Sequence, residues 1–87
     1  MASKHERTLR EVFAHPTRAN IVWTDIEAML LYFGCDIQER AGSRIVCARK
    51  GVRAVFHRPH PEKEAHRPLV RLVRDFCIEA RLTPDED

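Results

Sequence analysis

Not one Asp or Glu interrupts the stretch from Arg40 to His60, although acids are plentiful elsewhere in the chain. Other absences narrow the field. The longest apolar run, Ala28 to Gly34, is far too short to span a bilayer, and the opening Met-Ala-Ser-Lys-His-Glu lacks the apolar core of a signal peptide. A cytoplasmic protein without membrane contact is expected. The three cysteines are an odd number with no C-x-x-C spacing, which argues against a disulfide framework and for reduced, mostly buried thiols. Gly42 and Gly51 suit turns, and no helix start follows either, so a phosphate loop is excluded. His57, His60 and His66 have no cysteine at a supporting spacing, Ser43 has no Ser-His-acid setting, and Cys47 is expected to face inward, away from substrate. No metal and no small-molecule cofactor is therefore expected. There is no internal repeat, low-complexity tract or interdomain linker.

Within these limits, 87 residues make one domain that buries roughly 60 to 65% of its unfolded surface, enough for one modest core. Leu9, Val12 and Phe13 stand at helical spacing in Lys4 to Phe13, ahead of His15-Pro16. Thr24-Asp25-Ile26-Glu27 has a capping-box pattern, with Trp23 before it as a staple onto Ala28. Ile26, Met29, Leu30 and Phe33 then form an apolar stripe that Gly34 ends. After Gly34 the period changes to two. Cys35 and Ile37 alternate with Asp36 and Gln38, Ala41-Gly42-Ser43 turns the chain into Arg44 to Arg49, and Lys50-Gly51 turns it again into Val52 to Arg58.

A hairpin tip at Lys50-Gly51 sets partners whose numbers sum to 101. Ile45 then faces Phe56 and Cys47 faces Ala54 toward a core, while Arg44 meets His57, Val46 meets Val55 and Ala48 meets Arg53 on the other side. The rigid Pro59-His60-Pro61 leads through Glu62 to Ala65 into a last helix opening at Pro68, with Leu69, Val70, Val73, Phe76, Cys77 and Ala80 as its buried stripe. The expected core is Phe13, Ile26, Leu30, Phe33, Ile37, Ile45, Phe56, Val70, Val73 and Phe76. The order α-α-β-β-β-α describes an α+β domain, helices on one face of a small three-stranded antiparallel sheet. Residues 1–20 form a leading helix and connector, 21–82 the core, and 83–87 an acidic, frayed tail.

Arg40, Arg44, Arg49, Lys50, Arg53 and Arg58, with His57 and His60 beside them, concentrate positive charge on this sheet while the whole chain is only +2. Charge gathered on one element marks a polyanion partner, and the arginine fork fits phosphate oxygens two at a time. Arg outnumbers Lys twelve to three throughout the chain, so a merely solvated Arg-rich sheet face explains the arginines themselves; it explains their segregation from acids less well.

Trp23-Thr24-Asp25-Ile26-Glu27 leading a helix that ends in Gly34, then Gly42-Ser43, then Val55-Phe56-His57-Arg58-Pro59-His60-Pro61 and a closing helix resemble the HicA family of toxin-antitoxin systems, over about Ile21 to Leu82. The resemblance implies a fold similar to double-stranded RNA-binding domains, a metal-independent endoribonuclease acting on mRNA, and a HicB-like antitoxin partner that covers the toxin. It also exposes a departure. The family usually has Gly-Ser-His, with that histidine catalytic, whereas this chain reads Gly42-Ser43-Arg44. An arginine stays protonated and is no ordinary general base. Metal-free RNA cleavage needs a base for the 2′-hydroxyl, an acid for the leaving oxygen and positive charge at the phosphorane. The candidate catalytic residues are accordingly His57 and Arg44, with Arg40, Ser43, Arg49, Lys50, Arg53, Arg58 and His60 as candidate RNA contacts. A lone histidine on a strand is also a common surface residue. A non-catalytic RNA- or antitoxin-binding module, and a pure protein-interaction domain using the same open sheet, remain alternatives.

Overall fold

The computed structural model describes residues 3–84; the acidic tail at 85–87 lies outside the described residues. Ser3 and Glu6 cap the first helix reciprocally: the Ser3 hydroxyl accepts from the Glu6 amide at 3.1 Å, and the Glu6 carboxylate accepts from the Ser3 amide at 2.7 Å. That backbone bond holds the Glu6 carboxyl below its ordinary value. Helix α1 runs Lys4–Val12 and buries Leu9 and Val12. After it come β1 (Ile21–Val22), α2 (Trp23–Tyr32), β2 (Asp36–Glu39), β3 (Arg44–Arg49), β4 (Val52–His57), β5 (Glu64–Ala65) and α3 (Arg67–Glu79). The fold is α+β, with a three-stranded antiparallel sheet in the order β2-β3-β4.

The register of β3 on β4 is the one that a two-residue tip dictates: Arg44 faces His57, Ile45 faces Phe56, and so on to Arg49 and Val52. Lys50 and Gly51 both take positive φ, 51° and 81°, the backbone of the mirror-image turn that matches the twist of a hairpin. At the end of α2, Gly34 at φ 91° lets the Cys35 amide return to the Leu30 carbonyl at 2.9 Å, closing the last turn.

α2 and α3 cover the inner face of the sheet, and α1 packs across those two helices. Ile26, Leu30, Ile45, Phe56, Val70, Val73 and Phe76 are buried, while Phe13, Phe33 and Ile37 pack against that core with part of their surface exposed. Phe56 is the hinge of the aromatic contacts, edge-on to Trp23 and to Phe76 at centroid distances of 6.2 and 5.9 Å.

Two local features differ from the sequence reading. First, β1 pairs with β5, Ile21 opposite Ala65, a short ladder that ties the entry of α2 to the entry of α3. Second, α2 begins at Trp23, not after Thr24, and no side chain caps it; its N-cap is Val22. The Trp23 amide donates to the Lys63 carbonyl at 2.9 Å, so strand pairing satisfies one of the donors that the start of a helix leaves without an intrahelical partner. Glu27 is drawn away from the helix end because Trp23 Nε1 and Arg58 both donate to it. α3 likewise starts one residue early, at Arg67, capped by the His66 ring, whose Nδ1 accepts from the Leu69 amide at 3.2 Å.

All three cysteines are buried and free. Burial pushes the Cys47 and Cys77 thiols up to about 12 from an ordinary 9.0. Thiol reagents at pH 8 are therefore expected to leave the native protein unmodified and to titrate three thiols in denaturant. The unfolded thiols ionise near pH 9 while the folded ones keep their protons to about 12, so their contribution to stability is complete below pH 9 and declines between those values. Rapid labelling of the native protein would contradict this burial.

Candidate nucleic-acid interface

Strand pairing lays out the open face of the sheet as three rows. Asp36, Ala48 and Arg53 align across the strands, then Gln38, Val46 and Val55. Beyond the last paired residue of β2, the Arg40 amide donates to the Arg44 carbonyl at 2.9 Å, which extends the same register to a third row, Arg40, Arg44 and His57. Two guanidinium groups and an imidazole thus stand side by side on the face that no helix covers, all three exposed. The Arg58 amide donates to the Ser43 carbonyl at 2.8 Å, so the neighbouring pair Arg44 and His57 occupies the non-hydrogen-bonded position. Cα atoms at such positions are about 4.5 Å apart and their side chains approach most closely.

The row is lightly tethered. Arg44 Nε donates to the Ala41 carbonyl at 3.2 Å, and Arg40 Nη2 donates to Gln38 Oε1 at 2.9 Å. His57 makes no hydrogen bond or ion pair among the described residues. Ser43 is exposed beside Arg44, and His60 is exposed in the Pro59-His60-Pro61 segment after β4. Arg53 and Lys50 lie toward the other end of the hairpin, with Arg53 about 13 Å along β4 from His57 at the usual strand rise. Neither has a carboxylate partner among the described residues. The Arg53 row also carries exposed Asp36; between it and the Arg40, Arg44 and His57 row the face is apolar and amide in character, and Val55 is 54% exposed.

Two of the expected contact residues face the other way. Arg49 is on the helix side of β3, where its Nε donates to the Phe33 carbonyl at 3.2 Å and its Nη1 to the Ala80 carbonyl. One guanidinium thereby closes the C-terminal ends of α2 and α3, where orphan carbonyls and the helix dipole favour a cation. Arg58 follows His57, so strand alternation turns it inward. Its Nε and Nη2 grip Glu27 at 2.7 and 3.1 Å, and its Nη1 reaches Glu39 at 2.9 Å. These carboxylates hold the guanidinium above its ordinary pKa. This network of Trp23, Glu27, Glu39 and Arg58 was not anticipated from the sequence. Its available signal was the i, i+4 spacing of Trp23 and Glu27, which puts the carboxylate on the buried side of α2.

Among the described residues no group of three or more His, Cys, Asp or Glu is arranged to hold a metal ion, and no helix is long and apolar enough to cross a membrane. Comparison with known families matches residues 23–80 to the HicA toxin of bacterial toxin-antitoxin systems. Neither the curated proteins nor the solved structures yield a match. The matched segment contains the whole open face, the Arg58 network and all of α3, so the chain belongs to the HicA toxin family.

Proposed function

We propose that this chain is the toxin of a toxin-antitoxin pair, a cytoplasmic endoribonuclease that binds mRNA on the open sheet face and cleaves it without a metal. The observation that carries this reading is the row of Arg40, Arg44 and His57 on an uncovered sheet. Neutral His57 takes the proton from a ribose 2′-hydroxyl, and the freed oxygen attacks the adjacent phosphorus. Arg44 and Arg40 carry the charge that builds on the phosphorane. The row holds no second imidazole and no carboxyl to serve as the acid, so water protonates the leaving 5′-oxygen. Lys50 and Arg53 extend the phosphate track along β4, with Ser43 and His60 at its catalytic end. Arg49 and Arg58 support the sheet from behind and make no RNA contact in this scheme. A small HicB-like antitoxin covers the same face and neutralises the toxin.

One observation favours a second reading. Gly42-Ser43-Arg44 replaces the Gly-Ser-His pattern of the resembling family, and a chain that lost its catalytic histidine would remain an RNA- or antitoxin-binding module. Incubating purified, antitoxin-free protein with RNA in EDTA separates the two. Cleavage is expected; intact RNA with retained affinity would leave the binding module. Binding itself should weaken with salt by about 0.7 in logarithmic slope for each single-strand phosphate contact, and Arg53→Ala should flatten the slope by one such step. Salt-independent binding, or none, would point to a protein-interaction domain.

A further inference from the structure

A second basic surface lies on α3, away from the open sheet face. Arg67, Arg71 and Arg74 recur at i, i+4 and i+7, which places them on one stripe of the helix over about 10 Å of rise. The stripe borders buried Val70 and Cys77, on the flank of the helix opposite Phe76, the residue that meets Phe56 of β4. Arg67 Nε donates to the Thr17 carbonyl at 3.1 Å, which sets the head of the stripe against the connector between α1 and β1. There His15, Arg18 and Arg67 line one open groove.

These charges are largely unneutralised. Arg71 is exposed and has no hydrogen bond or ion pair among the described residues, and Arg74 keeps an Nη1 that is shielded from solvent yet has no acceptor. Arg18 reaches Glu11 only at 3.8 Å. Asp75 stands one turn after Arg71, an i, i+4 neighbour, yet no ion pair joins them among the described residues, and Glu79 lies a further turn on. Forked donors in a line, with no carboxylate to release first, fit the repeated phosphates of a nucleic-acid strand.

We propose that the Arg67, Arg71 and Arg74 stripe is a second binding surface for the sugar-phosphate backbone of RNA, separate from the catalytic row. This rests on the RNA reading above. The protein measures 40 Å along its longest axis and 20 Å along its shortest, so a strand that passes the sheet can continue round the molecule to α3. A toxin built this way holds a long RNA at two faces and a short one at either.

The test is fluorescence anisotropy with labelled polyuridylate across a salt series. Arg71→Ala removes an exposed side chain that makes no hydrogen bond or ion pair among the described residues, so the melting temperature should not move while the logarithmic salt slope falls by about 0.7. Arg71→Glu combined with Arg74→Gln should weaken binding roughly tenfold or more at low salt and lower the slope by at least about one. Arg53→Ala should add its own loss independently, because it acts on the other face. Wild-type affinity and slope in both α3 variants would overturn the second surface while leaving the RNA reading intact. If the wild type binds no RNA at any salt concentration, the RNA reading falls and the stripe with it. If the variants lose an acidic antitoxin but keep RNA, the stripe is a protein-docking surface and the proposal is wrong.

Discussion

His57→Ala should cut RNA cleavage by 10²- to 10⁴-fold, the usual consequence of losing a general base, equivalent to about 3 to 5.5 kcal/mol of transition-state stabilisation. The loss belongs in the rate of the chemical step. His57 is exposed and makes no hydrogen bond or ion pair among the described residues, so the fold should change by no more than about 0.5 kcal/mol, and RNA affinity should largely persist if the arginines supply it. Arg44→Ala should behave differently, slowing cleavage and weakening binding together, because a guanidinium on phosphate acts in both ground and transition states. Arg44→His discriminates between two histories of the site. It raises activity if arginine disabled an inherited catalyst and lowers it if arginine now serves a rebuilt one. Single-turnover cleavage in EDTA, with RNA affinity measured on the same proteins, reads all three. Full activity in His57→Ala would remove that residue as the base.

Arg58→Ala should destabilise the protein by about 2 to 4 kcal/mol, a drop of roughly 10 to 20 °C in melting temperature for a domain of this size. The reason is Glu27. Its side chain is only 18% exposed, and without Arg58 it keeps just the Trp23 indole as a donor, so its charge must be shed or left poorly solvated. The arginine is itself 33% exposed, which places the cost below that of a fully buried pair. Glu39, 76% exposed, should matter little by comparison. A double variant, Arg58→Ala with Glu27→Gln, should recover much of the loss, because it removes the stranded charge along with its partner. Thermal denaturation of the two single variants and the double one measures the coupling. If Arg58→Ala melted like wild type but bound RNA with a flatter salt slope, the guanidinium would be a phosphate contact after all.

Much of this architecture was legible from local patterns. Period-two alternation from Cys35 onward, the Lys50-Gly51 tip and Gly34 were enough to set the β3 and β4 register and to put Arg44 beside His57, since a slip of one residue would have turned Ile45 and Phe56 out of the core. The start of α2 was less legible. A capping box is a local motif, and here a non-local ladder between Ile21-Val22 and Glu64-Ala65 took over the helix end, freeing Glu27 for Arg58. Two strands of two residues each carry too little periodicity to be seen in a sequence.

Which side chains share a strand, a face or a helical stripe follows from the order of residues, because alternation and the 3.6-residue turn are properties of the backbone alone. The sequence also carries the family resemblance and the concentration of positive charge between Arg40 and His60. Which of those charges are free depends on long-range packing. Arg49 is held by the carbonyl ends of two helices and Arg58 by two carboxylates, one of them 31 residues away in the chain, whereas Arg40, Arg44, Arg53 and Lys50 make no ion pair among the described residues. The same long-range packing leaves Arg71 and Arg74 without an ion pair on α3 among the described residues. A guanidinium is recognisable in the chain as a charge, but its role depends on the acceptors that folding brings within reach.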